Sequence, residues 1–250
     1  MLDIAEAELQ AHPHTLTPPS ASGSLANAAR QAVLRRIAPA LKHDMVVNLQ
    51  AVSMMAEMLN ARVERGGVKP ADLQSNISKL NRLARDAVAG CLQVMSWIEG
   101  GDDDGVQLQQ GVRECVALLS ASFNFRGFSL VDEVATAAAD FEVRRNALRT
   151  LLCGSLLALA DGSARPCELV VESDITDEPG ALRVRCRART EQPQAVMPPA
   201  SAMGPRPQID WAEVQALAAT EGVALQRGAD HIRMRLPRAV VTSPVQMAPV

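Results

Sequence analysis

Tyrosine is missing from this 250-residue chain, and all aromatics together make up 2% of it. Proteins that bind single-stranded nucleic acid stack bases on aromatic side chains, so that class has almost nothing to be built from. Charge excess is also missing. The formal net charge is -3, which gives no reason to expect nucleic acid or an anionic membrane as partner, because such binding rests on clustered Lys and Arg. No apolar run approaches the roughly 18 residues that spanning a bilayer requires. The acidic opening MLDIAEAELQ lacks the basic start and apolar run of a signal peptide. Cytoplasmic location is the expectation. No C-x-x-C pair occurs, and His12, His14, His43 and His231 do not neighbour the cysteines at ligand spacing. Cys91, Cys115, Cys153, Cys167 and Cys186 therefore read as reduced packing residues, and no metal is expected.

What is present is apolar periodicity. Hydrophobic residues make up 48% of the chain, enough for one good core or two small ones. Residues 1–24 read as a flexible leader, for AHPHTLTPPSASGS is rich in Pro, Ser and Gly without a period. From Leu25 to about Arg65 an apolar stripe runs through Leu34, Ile37, Leu41, Met45, Val52, Met55 and Leu59, with Asn48 interrupting it. This predicts a long amphipathic helix. Pro39 lies inside it and should kink it one turn before His43. RGGVKPAD then supplies a stop and a start. A second helix follows, with Leu73, Ile77, Leu80, Ala84, Ala87, Cys91, Val94 and Ile98 spaced four and three apart.

Two long helices with a short loop predict an antiparallel hairpin over residues 25–100. The first helix also carries a second apolar row, Val33, Ala40, Val47, Ala51, Met54 and Met58, which one hairpin cannot cover. A homodimer, with two hairpins forming a four-helix bundle, would cover it.

EGGDDDG (Glu99 to Gly105) marks a boundary, after which the period becomes mixed. A short extended piece and a helix are expected over Val106 to Ser122, a strand over Phe128 to Val134 and a helix over Phe141 to Ala160. Glu168 to Glu172 and Leu182 to Ala188 alternate as strands, the second with Arg183, Arg185 and Arg187 on one face. A helix from Trp211 to Thr220 precedes a terminal hairpin around Gly228. The sum is α+β: a helical hairpin, then an α/β sandwich over residues 106–238 with helices on one face of a mixed sheet, and a flexible tail at 239–250.

Lys42-His43-Asp44 is the chemically suggestive spot on the hairpin. His43 lies roughly 200° around the helix from Leu41, so its imidazole should face outward as an accessible nucleophile. Asp44 could orient the ring. A solvated surface pair is the plain alternative.

The stretch LKHDMVVNLQAVSMMAEML resembles the H-box of two-component histidine kinases: a His, an acid, two variable residues, a Thr or Asn, a Pro and a Leu. His43, Asp44 and Leu49 match the phosphoacceptor, the acid and the Leu, whereas Val47 replaces the Thr or Asn and Asn48 the Pro. That departure implies weak or absent phosphatase activity. NALRTLLCGSLLALADGS sits where the family has its N-box, with Gly154 and Ala158 at the two Asn positions. RTEQPQ stands where Asp-x-Gly-x-Gly would grip adenine, and the glycine-rich lid is reduced to Gly204. EGVALQRGADHIRMRLP is similar to the family's closing hairpin.

A degenerate ATPase-like domain behind an intact His is also the pattern of dimeric bacterial histidine phosphotransferases. The resemblance implies a phosphorelay protein that carries a phosphoryl group on His43 between response-regulator receiver domains and binds no ATP and no cofactor of its own. Magnesium would belong to the receiver. Val46 and Val47 would be docking contacts, with burial in the dimer as the alternative for both. Lys42 and Arg36 would help neutralise phosphate or simply be solvated. A non-catalytic adaptor that modulates two-component signalling, and an active kinase with an unorthodox nucleotide site, stay open as alternatives.

Overall fold

In a computed structural model, the described residues are 21–66, 69–98, 105–135, 141–174, 179–188 and 208–239. Residues 1–20 and 240–250, most of the acidic boundary and Thr190 to Pro207 with its Gly204 lie outside them.

Helix α1 (Ala21–Glu64) runs 44 residues, and α2 (Pro70–Ile98) returns antiparallel along it. Pro70 opens α2, where its missing N–H removes a donor that would have no partner anyway. The expected stripe of α1 is the half-buried one, through Met45, Asn48, Val52, Met55 and Leu59. On α2 the seam holds at Leu73, Leu80, Ala84, Ala87, Cys91 and Val94, but Ile77 and Ile98 are exposed. Trp97 is buried in place of Ile98.

The remaining elements are β1 (Gly105–Gln107), α3 (Leu108–Phe125), β2 (Ser129–Glu133), β3 (Glu142–Arg144) and α4 (Arg145–Gly162). Then come β4 (Glu168–Ser173), β5 (Ala181–Arg187), α5 (Trp211–Glu221), β6 (Ala224–Arg227) and β7 (His231–Arg235). Five strands form one mixed sheet in the order β2-β4-β5-β7-β6, with β2 and β4 parallel and the other pairs antiparallel. Its inner face, carrying Leu169, Val171, Leu182, Val184 and Met234, belongs to a core shared with α3, α4 and α5. On the outer face, Glu168 stands opposite Arg187 and Glu172 opposite Arg183. Arg187 bonds Glu168 at 2.5 Å, and Arg183 bonds Asp174 at 2.6 Å. Pairing opposite charges on neighbouring strands is how this face carries three arginines without repulsion.

Helix α5 begins with a reciprocal capping box. The Asp210 carboxylate accepts from the Glu213 amide, and the Glu213 carboxylate accepts from the Asp210 amide, each at 2.8 Å. It ends at Gly222, whose φ of 65° is the left-handed region that side chains disfavour.

Three expectations are redrawn. Residues 21–24, read as leader, are helical. Glu142–Arg144, read as the opening of a helix, is a strand pairing with β1 because Val106 and Val143 stand opposite each other in the core. Most consequential, the first third of α1 extends past the end of α2 and packs on the α/β part. Ala29, Ala32, Val33 and Ile37 join the same buried core as α4 and α5. Val33 is thus covered within the chain and needs no second copy.

Candidate functional site

His43 lies on an exposed stretch of α1, with Lys42 and Asp44 also exposed. It is not on an open face. His43, Asp44, Val47 and Asn48 line one side of a groove of about 550 Å³, and Arg113, Glu114, Ala117 and Leu118 of α3 line the other. Each helix contributes residues at i, i+1, i+4 and i+5, the set that one side of an α-helix presents. The floor includes Gly90 and Val94 of α2. Gly90 permits close approach there, since a Cβ would stand 3.1 Å from the Asn48 amide nitrogen. An accessible imidazole in a groove of this volume has room beside it for a small charged group.

Two ion-pairing arginines fix the walls. Arg149, 4% exposed, donates to Glu114 at 3.0 Å and to Ser96 at 3.0 Å, and its guanidinium lies 4.4 Å from the centre of the Trp97 ring. Arg145 holds the same Glu114 at 3.1 Å. The end of α2 is thereby tied to α3 and α4, and the charge of Glu114 in the groove is offset. Arg113 is different. Its side chain is 66% exposed, with Asp132 at 3.9 Å as its ionic neighbour among the described residues.

Arg36 is the correction among the predicted site residues. Its guanidinium grips Asp161 of α4 through two bonds of 2.7 and 3.0 Å, and Arg126 adds a third at 2.7 Å. The Arg36 and Asp161 side chains are 8% and 7% exposed. A cation committed to an internal carboxylate has no charge to offer a docking phosphate, so that role falls away. Burial pushes the Asp161 carboxyl up, but the hydrogen bonds and charge of Arg36, the charge of Arg126 and the Ile209 amide outweigh it, and the group stays ionised below its ordinary range.

Asp44 lines the groove beside His43, yet among the described residues no hydrogen bond joins the two. Neighbours in sequence point 100° apart on a helix, which leaves a carboxylate badly placed to hold the adjacent ring. Val47 is 45% exposed and lines the groove, whereas Val46 is half-buried and does not. Lys42 is exposed but lies outside the groove lining. Arg113 and Glu114 went unnoticed because a lone Arg-Glu pair on an amphipathic helix reads as solvated face, and only tertiary packing brings it to His43.

Around Gly154, on the N-box-like helix, the nearest neighbours are apolar. A Cβ at Gly154 would meet Val33, Val214 and Leu217 at 3.6–4.0 Å. Among the described residues, the nearby cleft, which includes Ala158, Asp161, Ile209 and Trp211, is about 220 Å³. Among the described residues no group of three His, Cys, Asp or Glu side chains is arranged to hold a metal. All five cysteines are free. No described helix is long and apolar enough to cross a membrane.

No family model matches the chain, and no curated protein matches it in sequence. Among solved structures it is similar to a bacterial phosphotransferase, at 21% identity over 87% of this chain and 97% of that one, with a TM-score of 0.35. A histidine kinase from Burkholderia phymatum matches at 15% identity over 83% and 98%, TM-score 0.40. The Acinetobacter baumannii histidine kinase AdeS matches at 13% identity over 78% and 98%, TM-score 0.38. The layout itself, a long helical hairpin followed by a mixed five-stranded sheet, is α+β.

Proposed function

We propose that this chain is a phosphotransfer protein of the two-component type. His43 takes the phosphoryl group from the aspartyl phosphate of one receiver domain and yields it to another, without nucleotide. The observation that carries this is the placement of His43: an accessible imidazole, set in an H-box-like run, lining a groove shared by the hairpin and α3. Positioning is what such a step demands of the transfer protein, since the receiver brings the metal and the charge that activate phosphorus. The N-box-like helix supports the exclusion of ATP. A polar ligand for magnesium-bound phosphate would be needed near Gly154, and that position meets Val33, Val214 and Leu217 instead.

The functional unit is a homodimer on this proposal. Met54 and Leu92 are 63% and 65% exposed, and Met58, Val88 and Met95 are exposed beside them. Apolar surface of this extent along a helical hairpin is what a second hairpin would bury.

Incubation with a phosphorylated receiver tests the transfer. Label that is acid-labile, base-stable and lost in His43→Ala is expected. A non-catalytic adaptor is the second reading, favoured by the absence, among the described residues, of a hydrogen bond orienting the His43 ring. It wins if no such label appears and His43→Ala leaves the relay unchanged. Label from ATP and magnesium on His43 would instead show an active kinase and overturn the account of the second domain.

A further inference from the structure

Among the described residues, the groove sets a loosely paired cation against His43. Of the charged groups lining it, Asp44 repels a phosphate and Glu114 is already held by Arg145 and Arg149, which leaves Arg113. We propose that Arg113 of α3 is the phosphoryl-binding residue of the site, the α/β domain's own contribution to phosphotransfer at His43. The idea rests on the transfer role assigned to His43 and adds a residue to it.

In the reaction, the unprotonated ring nitrogen of His43 attacks phosphorus, and a P–N bond forms as the donor's bond to phosphorus breaks. From an aspartyl phosphate the receiver carboxylate leaves with the electron pair. The other ring nitrogen keeps its proton, and the phosphorylated ring later releases it to solvent. Negative charge stays on the equatorial oxygens throughout, and a guanidinium facing them across the groove stabilises it with paired N–H donors. Arg113 has the freedom to do this. It is mostly exposed, and its contact with Asp132, at 3.9 Å, is longer than a hydrogen bond. Lys42, though adjacent to His43 in sequence, does not line the groove.

Phosphoramidate, a small donor that loses ammonia to a nucleophilic imidazole, tests this without a receiver. Phosphorus NMR of the whole 250-residue chain would follow the phosphohistidine signal in the wild type and in His43→Ala, Arg113→Ala, Arg113→Lys and Lys42→Ala. Removal of a charge-assisted bond predicts labelling about tenfold slower in Arg113→Ala, partial recovery in Arg113→Lys and less than about twofold change in Lys42→Ala. Circular dichroism should match throughout, because neither Arg113 nor Lys42 is in the core. Wild-type rates in Arg113→Ala, or equal slowing in Lys42→Ala, would overturn the assignment and leave the transfer reading standing. A wild type that labels no better than His43→Ala would overturn both.

Discussion

Replacing Arg36 by Met keeps most of the side chain's volume and removes its charge from Asp161. Both side chains are less than a tenth exposed, so solvent screening is slight. Losing one partner of a buried pair costs about 3–5 kcal/mol when the other is left uncompensated. Here Arg126 and the Ile209 amide still hold Asp161 at 2.7 and 3.3 Å, which lowers the expected loss to about 2–3 kcal/mol. For a chain of this size that is a fall in Tm of roughly 4–12 °C at neutral pH. The pH dependence has a definite sign. The folded pKa of Asp161 is depressed, so its contribution is present above the unfolded value near ~3.9 and is lost as pH falls through the folded one. The gap between wild type and Arg36→Met should be widest at neutral pH and close below about pH 4. Calorimetry across pH 3–7 reads both quantities (roughly the span of carboxylate titration). A Tm within about 2 °C of wild type at pH 7, or a gap that widens on acidification, would refute the claim that this pair fastens α1 to α4.

At Gly154, Ala should be tolerated or stabilise by up to about 1 kcal/mol, since its methyl meets only ordinary contacts and Ala favours helix. Asn at the same place, the residue of the kinase motif, should cost about 2–4 kcal/mol for burying an amide among Val33, Val214 and Leu217. Urea unfolding would separate the two; an Asn variant as stable as the Ala variant would count against the apolar character of this site. Leu92→Glu should leave helix content unchanged but shift the mass seen by light scattering from about twice 26.7 kDa to one chain. Wild type running as one chain would defeat the dimer. Burial, followed by its neighbour Cys186, pushes the Cys167 thiol up to about 12, so alkylation near pH 8 should be far slower in the folded protein than in urea. Because the unfolded chain loses that proton first, stability should also decline as pH rises above about 9. Peptide mapping that finds Cys167 modified equally fast in both states would contradict this.

The hairpin and strands were legible because their cues are local. The four-three spacing along α2, the Gly-Gly stop before Pro70 and the alternation of Arg183, Arg185 and Arg187 each act within a few residues. Partnership was not legible. Arg36 and Asp161 lie 125 residues apart, and nothing near Arg36 distinguishes it from Lys42. The same holds for Val33, whose place in the second apolar row fits a dimer contact as well as the α/β core it enters. Strand β3 escaped for a different reason. Three residues are too few to show a period, and the apolar helix that follows absorbs them.

Those long-range contacts also bear on what a second domain without ATP would be for. On the proposed reading, Arg36 and Arg126 fasten the early part of α1 to α4 through Asp161, while Arg149 fastens the end of α2 to α3 through Glu114. His43 lies seven residues beyond the first clasp, and Arg113 is adjacent to the second. The groove therefore has both walls anchored by buried ion pairs, so its width depends on the α/β domain as much as on the hairpin. A partner that reads His43 alone would tolerate either clasp being loosened. One that must also touch α3 would lose affinity when Arg149 is replaced by Met, even though Arg149 lies behind the groove wall and His43 itself is untouched.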